Sequence, residues 1–373
     1  MKVNRIQMKS VLFILVVLLL SACQGADQTK FTPLEIMPFY PENYVCYRTA
    51  SPLNIDGELS EQAWQNVPWT NLFGDIEGNK KSQPKYNTKA KMLWDDDYLY
   101  IGAYLEDPHV WANLTERDAV IFYDNDFEVF IDPNGDGHGY YEYEMNAFNT
   151  VWDLMLLKPY REGGPAINNW DINGLKSAVN IVGTINQPDD TDEGWYVEIA
   201  FPLAVLHENC GGIAAKGGNQ WRINFSRVQW QTEVINGKYS KVINPETNKH
   251  YPENNWVWSP QGVVDMHRPE TWGFLQFSDH EAGQSEEIFE FDEDELVKWE
   301  LYTIYHAQRA FRNSKGNFAQ SITQLKRVGL PETKYNSKLE TTSSLYEAIA
   351  SRHQSDYMWH INNEGRTWKT KKK

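Results

Sequence analysis

Residues 127–146 read FEVFIDPNGDGHGYYEYEMN, and their pattern indicates the class of fold. On either side of its Asp-, Asn- and Gly-rich middle, apolar and polar side chains alternate: Phe127, Val129 and Ile131 point one way and the residues between them the other. Alternation with a period of two is typical of a strand with one buried face, and Asp, Asn and Gly favour turns. The stretch therefore predicts a strand, a turn and a second strand.

The same alternation recurs through residues 44–278, in "KAKMLW", "YLYIGAYLED", "GWYVEIAFP" and "QWRINFSRVQW". Short alternating strands separated by Asp, Asn and Gly turns are the pattern of all-β sandwiches and barrels. We therefore predict a mainly β protein, an antiparallel β-sandwich with immunoglobulin-like layers over residues 44–278.

A different pattern follows the predicted sandwich. Residues 279–295 hold nine acids and no Lys or Arg, which predicts a solvated acidic linker. In residues 296–373, "DELVKWELYTIYHAQRAFRNSKG" begins in the linker and repeats apolar residues at helical spacing, and "FAQSITQLKRVG" predicts a shorter helix. "SDYMWHINNEGRTWK" predicts a terminal hairpin, so this part is expected to be a small helical appendage.

The N-terminus predicts export. Residues 1–22 combine a basic start with the ten-residue apolar run 11–20, which is the length of a signal sequence and too short to span a bilayer. The run ends in Leu-Ser-Ala-Cys, which resembles a bacterial lipobox and implies lipidation of Cys23; an ordinary signal peptide with a chance cysteine is the alternative. Residues 23–43 then read as a polar tether. The expected location is the bacterial cell envelope, lipid-anchored, either periplasmic or at the cell surface.

The net charge limits the classes of ligand, and the cysteines allow two alternatives. A net charge of −16 disfavours nucleic acid and anionic membrane surfaces, so the lipid anchor would be the membrane contact, and it suits neutral or cationic ligands and divalent metals. Cys46 and Cys210 form either a disulfide, which an oxidising compartment permits, or two isolated buried thiols.

Six segments occur in a fixed order in residues 44–278: "LNIDGELSEQAW", "KAKMLWDDDYLYIGAYLEDP", "NDFEVFIDPN", "GWYVEIAFPLAVL", "WVWSPQG" and "PETWGFLQF". This series resembles carbohydrate-binding module family 9 (CBM9), in its branch of standalone lipoproteins. The resemblance implies a β-sandwich that binds sugars and, in some members, calcium. In xylanase-linked members two tryptophans clamp a terminal sugar, and here those positions fall near Phe122 and near Met266 or His267. Polar positions of the same site match Glu128 and Asn146, and Glu144 stands where those members carry a basic residue.

The residues themselves add further candidates. Glu144 and Asn146 share the polar face of the second strand, where side chains suit sugar hydroxyls, although a solvated face would look the same. Arg227 lies on a strand near Trp230. A planar guanidinium that binds hydroxyls beside a flat aromatic ring is a pairing that binds sugars. The alternative is that Arg227 forms a surface salt bridge. Trp152 offers a further flat aromatic ring on which a sugar could stack.

The turn itself is a candidate metal site. Asp132, Asn134 and Asp136 have the spacing of the first half of a calcium-binding EF-hand loop, but its twelfth position is Tyr143 and not glutamate. The two interpretations are a calcium site completed by another carboxylate, and a turn that uses Asp, Asn and Gly for their backbone preferences.

Three functions compete. We predict non-catalytic binding of a poly- or oligosaccharide, with no catalytic residue and with glycan-degrading proteins as partners. A glycoside hydrolase using carboxylates such as Glu142 and Glu144 is the alternative, and b-haem binding through Met266 and His267 is the third. The sequence contains no nucleophile elbow, no HExxH and no phosphate loop.

Overall fold

The computed structural model describes residues 39–372, and strands dominate this part of the chain. The strands are β1 Asn43–Arg48, β2 Gly74–Asp75, β3 Thr88–Trp94, β4 Tyr98–Glu106, β5 Asp126–Asp132, β6 Tyr140–Asn146, β7 Val151–Leu156, β8 Ala166–Ile167, β9 Lys176–Val182, β10 Gly194–Pro202, β11 Gln220–Gln229, β12 Thr232–Ile235, β13 Lys238–Lys241, β14 Ile243–Asn244, β15 Lys249–His250, β16 Asn254–Val257, β17 Gly273–Glu281, β18 Lys338–Thr341, β19 Tyr346–Ala350, β20 Tyr357–Asn362 and β21 Thr367–Lys371. The α-helices are α1 Gln62–Gln65, α2 Leu203–Leu206, α3 Asp294–Lys315 and α4 Ile322–Lys326. The signal sequence, Cys23 and most of the tether predicted from the sequence lie outside the described residues.

One large sheet folds over itself into two layers. Its strand order is β8-β7-β6-β5-β11-β17-β1-β3-β4-β10-β9, with β16 pairing β11 and β2 beside it. A single apolar core holds inward side chains from both halves, among them Phe127 and Phe225 from one layer and Met92 and Ile199 from the other. The predicted β-sandwich is confirmed. The sheet is mixed and not purely antiparallel, because β1 runs parallel to β17 and to β3.

The quoted stretch forms the predicted hairpin. Strands β5 and β6 pair antiparallel, with Val129 opposite Tyr143 and Phe127 opposite Met145, and all four side chains lie in the core. The period of two places the acidic residues of both strands on the opposite face, away from that core.

The C-terminal part is less helical than the sequence predicts. Helix α3 buries the predicted apolar stripe and ends at Gly316, whose φ of 79° suits a glycine. The predicted hairpin is present as β20 and β21, but it belongs to a four-stranded antiparallel sheet with β18 and β19. Strands β18 and β19 were missed because they are short. Helix and sheet share a second apolar core, which includes Leu301, Ile304 and Ile361.

The predicted acidic linker packs on the sandwich. Strand β17 continues to Glu281, and α3 begins at Asp294. Between them the Glu287 N–H donates to the Tyr47 hydroxyl at 2.8 Å, and the ring centroids of Phe289 and Phe274 are 5.6 Å apart. None of residues 279–295 is buried, so the segment is solvated, and the contacts of Glu287 and Phe289 attach it to the sheet.

Both described cysteines are free thiols. Cys46 and Cys210 are buried, and burial raises the pKa of the Cys46 thiol. The alternative of two isolated thiols is therefore correct, and the disulfide is not formed. Within residues 39–372, no helix is long and apolar enough to cross a membrane.

Candidate functional site

A cavity of about 230 Å³ lies on the outer face of the sheet formed by β7, β6, β5 and β11. We call it the acidic pocket. Its lining residues include Phe122, Glu128, Phe130, Glu142, Glu144, Trp152, Tyr160, Val228, Glu253, Asp265, Met266 and His267.

Strand register assembles the floor of the acidic pocket. Glu128 of β5 lies opposite Glu144 of β6, and Glu144 lies opposite Trp152 of β7. On the other side, Ser226 of β11 lies opposite Glu128. These residues form one cross-strand row on one face, where neighbouring side chains are close enough to interact.

Three glutamates of the floor are buried although they carry ionisable groups. Glu128 is 5% exposed, Glu142 5% and Glu144 2%, and Asp126 beside them is fully buried. Burial raises the pKa of Glu128 to about 7. Burial first, and then the neighbouring carboxylates, raise the pKa of Glu144 well above its usual value. Among the described residues, no lysine or arginine lines this pocket.

Two segments distant in sequence form the walls. Phe122 comes from the 3₁₀ turn Ile121–Tyr123, and its N–H donates to Glu144 Oε2 at 3.1 Å. Met266 and His267 come from the loop between β16 and β17. His267 Nδ1 lies 2.9 Å from the Tyr140 hydroxyl oxygen, and burial lowers the pKa of His267 to about 4. The imidazole is therefore neutral near pH 7, so the pocket gains no positive charge from it.

The structure brings six of the nine sequence-predicted sugar-site residues into this one pocket: Phe122, Glu128, Glu144, Trp152, Met266 and His267. Asn146 is not among them. Its amide donates to the Leu114 carbonyl at 2.8 Å and to Asp124 at 3.0 Å, and it accepts from the Phe148 and Thr150 N–H groups. Asn146 therefore holds the turn after β6.

Arg227 lies on the other face of the sheet. It is 1% exposed, pairs with Asp107 at 3.4 Å and donates to Gln229 at 2.7 Å, and its guanidinium lies 5.2 Å from the Trp256 ring centroid. The adjacent Ser226 and Val228 occupy the face of the acidic pocket, so Arg227 must point away from it. The sequence-based placement of Arg227 beside the sugar is corrected to a buried ion pair.

Trp230 also lies outside the acidic pocket. Its indole N–H donates to the Phe122 carbonyl at 2.9 Å, and the Lys241 ammonium lies 3.3 Å from its ring centroid. It lines a separate, more polar cavity together with Tyr86, His109 and Trp256. Its contact with Phe122 supports one wall of the acidic pocket from behind.

The loop predicted as a calcium site uses its oxygens on its own backbone. Asp132 accepts from the Gly135 and Gly137 N–H groups at 2.9 Å each, and Asn134 accepts from the Asp136 N–H at the same distance. Asp136 accepts from His138 N–H and pairs with Arg366 at 3.0 Å. The turn interpretation is therefore favoured over the calcium site for Asp132, Asn134 and Asp136.

The sequence reasoning missed Asp126 and Tyr160 as parts of the site. Asp126 could have been found, because it precedes Glu128 by two residues and must share its face. Tyr160 lies in a loop after β7, where no periodicity indicates a direction.

Comparison with known proteins agrees with this fold. Residues 55–216 match the family described as "Carbohydrate family 9 binding domain-like". The matched segment is similar to that family over 162 of the 373 residues, and it contains Phe122, Glu128, Glu144 and Trp152.

Curated relatives match the chain in part. Endo-1,4-beta-xylanase A of Thermoanaerobacterium saccharolyticum is 28% identical over 159 residues, which are 43% of this chain and 12% of that protein. Exoglucanase XynX of Acetivibrio thermocellus is 32% identical over 187 residues, 45% of this chain and 15% of that protein. The chain thus spans less than a fifth of the length of these relatives.

A solved structure of a carbohydrate binding module family 9 from Caldicellulosiruptor kristjanssonii, in complex with cellotriose, is also similar. It shares 16% sequence identity and a TM-score of 0.41, and covers 66% of this chain and 100% of its own.

Proposed function

We propose that this protein binds a saccharide in the acidic pocket without cleaving it. One observation carries the proposal: the fold gathers Phe122, Trp152 and Tyr160 around buried hydrogen-bond acceptors in a single cavity. Aromatic rings offer flat apolar surfaces to the faces of a pyranose. Carboxyl groups accept hydrogen bonds from hydroxyls, and the protonated form can also donate one.

The chemistry of the floor defines the ligand further. Three glutamates and a neutral histidine favour a ligand that donates hydrogen bonds and carries no negative charge, such as a neutral oligosaccharide. Micromolar to millimolar affinity, about −4 to −8 kcal/mol, is the range to expect from a small site of this kind.

The glycoside hydrolase alternative has one observation in its favour, the raised pKa of Glu128, since a general acid needs such a shift. The arrangement favours binding instead. Glu128 and Glu144 are direct cross-strand neighbours and project side by side from one sheet face. The two carboxylates of a glycosidase flank the scissile bond.

The haem alternative is weaker on this geometry. The Met266 sulfur accepts from the Gln261 amide at 2.9 Å, and His267 has the Tyr140 hydroxyl as a partner. Both potential ligands are thus already engaged within the protein.

The deciding experiment is a glycan array on the purified protein, followed by calorimetry with xylo- and cello-oligosaccharides, the classes that the names of the curated relatives indicate. We expect one glycan class to bind, and Phe122→Ala to weaken it by about tenfold or more, about 1.4 kcal/mol. Trp256→Phe, in the separate cavity, is the matched control and should leave affinity unchanged.

Two parallel measurements separate the alternatives. Release of reducing sugar that Glu144→Gln abolishes would establish the hydrolase, and a Soret band in the purified protein would establish the haem protein. A folded protein that binds no glycan in the array would refute sugar binding.

We also propose that the lipobox-like ending of the N-terminal segment anchors the protein at the cell envelope through Cys23. A diacyl or triacyl mass on the N-terminal peptide would support this, and Cys23→Ser should release the protein from membranes. Anchoring would place the acidic pocket beside glycan-degrading proteins of the same envelope, which co-purification after crosslinking would detect.

A further inference from the structure

Three carboxylates at the base of the acidic pocket converge on one point. Asp126, Glu128 and Glu144 each offer an oxygen, and these oxygens lie within 4.8 Å of one another. Calcium binds oxygens at about 2.3–2.6 Å, so oxygens around one ion are separated by up to about 5 Å. The spacing therefore fits ligands of a single hard cation.

The same carboxylates have oxygens without a protein partner. Asp126 Oδ2 and Glu128 Oε2 make no hydrogen bond to the described residues, and both side chains are at least nine-tenths buried. The adjacent Glu142 Oε2 is in the same condition. A buried acceptor without a partner is costly, and a buried charge without a counter-charge more so.

A second acidic cluster among the described residues has a cation that compensates its negative charge. Asp118, Asp153 and Asp171 also converge, but Arg117 lies among them and pairs with all three. At Asp126, Glu128 and Glu144, none of the described residues supplies such a cation. Two further oxygens of this cluster accept backbone N–H groups, Asp126 Oδ1 from Val228 and Glu144 Oε2 from Phe122, which orient Asp126 and Glu144.

We propose that Asp126, Glu128 and Glu144 bind a divalent cation, with calcium the best fit, at the floor of the acidic pocket. Carboxylate-only ligand sets favour hard cations such as Ca²⁺, Mg²⁺ and Mn²⁺. Calcium accepts six to eight oxygens in flexible geometry, whereas magnesium demands a near-ideal octahedron. Three protein carboxylates leave coordination positions open toward the pocket, where the hydroxyls of a saccharide would complete the shell. This last step rests on the proposed function; cation binding does not.

The test begins with the full protein freed of metal by a chelator and contains no sugar. Calorimetry with CaCl₂, and terbium luminescence sensitised by the nearby Trp152, should both report one site. Glu128→Gln keeps the side-chain shape and should weaken cation binding at least 100-fold, and Asp126→Asn should do the same. Asp118→Asn, in the Arg117 cluster, and Asp136→Asn, in the turn, are matched controls and should bind as the wild type does.

Melting temperatures provide a second measurement of cation binding. Calcium should raise the melting temperature of the wild type and of both controls, but not of Glu128→Gln, and a melting curve for each variant establishes that it folds. No binding of Ca²⁺, Mg²⁺ or Mn²⁺ at millimolar concentration would overturn the cation site. Cation binding that survives both Glu128→Gln and Asp126→Asn would overturn its location.

Sugar titrations then separate the two proposals. Sugar binding that requires calcium would support both. Sugar binding that a chelator leaves unchanged, with the cation site intact, would refute the bridging role alone. Cation binding without any glycan ligand would refute the proposed function and leave the cation site standing.

Discussion

Glu270 ties the C-terminal part to the loop that forms one wall of the acidic pocket. Its side chain is 1% exposed, and it accepts from Arg161 at 2.9 and 3.2 Å and from His306 of α3 at 2.8 Å. Arg161 also donates to the His267 carbonyl. One carboxylate thus connects three segments: the turn after β7, the pocket loop and α3.

Replacing Glu270 with alanine removes the nearest counter-charge of the buried Arg161 and leaves it Asp265 at 3.8 Å. Breaking a buried pair in this way costs about 3–5 kcal/mol. The unfolding entropy is about 2.1 cal/mol/K per residue, or about 0.7 kcal/mol/K for the described chain, so the melting temperature should fall by about 4–7 °C. Because Arg161 also holds the His267 carbonyl, the same variant should weaken sugar binding.

The pH dependence gives a second, independent check. Burial, the largest single effect, raises the pKa of Glu270, but Arg161, His306 and Arg268 together lower it by more, so its net value is well below the usual one. A carboxyl with a depressed folded pKa contributes stability that is fully present above its unfolded pKa, about 4.3, and is lost as pH falls through the folded pKa. The difference in melting temperature between wild type and Glu270→Ala should therefore be constant between pH 6 and 8 and shrink below about pH 4.

Differential scanning calorimetry measures both effects. Arg366→Ala is the control, because it removes a pair between the same two parts of the molecule, with Asp136, in which the arginine side chain is 57% exposed. An exposed pair contributes about 0.2–1 kcal/mol, so this control should shift the melting temperature by about 0.3–1.4 °C. A shift for Glu270→Ala no larger than that of the control would refute the reasoning.

Three further outcomes follow from the packing. Trp152→Ala should weaken sugar binding, measured by calorimetry, by about 10- to 100-fold, or about 1.4–2.7 kcal/mol. The control Trp368→Ala, in the C-terminal sheet, should leave the affinity unchanged, and equal losses in the two variants would contradict stacking of the sugar on Trp152. Arg227→Met should lower the melting temperature by several degrees and leave sugar affinity within about twofold, since this buried guanidinium lies outside the acidic pocket. Cys46 and Cys210 should react with a thiol reagent only after denaturation, and a reductant should not change the melting temperature; rapid labelling of either of these two residues in the native protein, located by peptide mass spectrometry, would contradict their burial.

The sequence alone predicted the elements whose pattern is local. The period of two is a property of the extended backbone, so it correctly separated Phe127 and Val129, which face the core, from Glu128 and Glu144, which do not. Helix α3 was predicted for the same reason, since its apolar spacing is written in consecutive residues.

Tertiary structure decided which of these faces became a site. A pattern does not reveal that a turn at Phe122 and a loop at His267 cover the outer face of β5 and β6, so the glutamates expected on an open face are in fact buried. It also does not reveal that Arg227 finds Asp107 inside the protein. These contacts join segments far apart in the chain, and they depend on strand order and on the parallel pairing of β1, which residue periodicity does not encode.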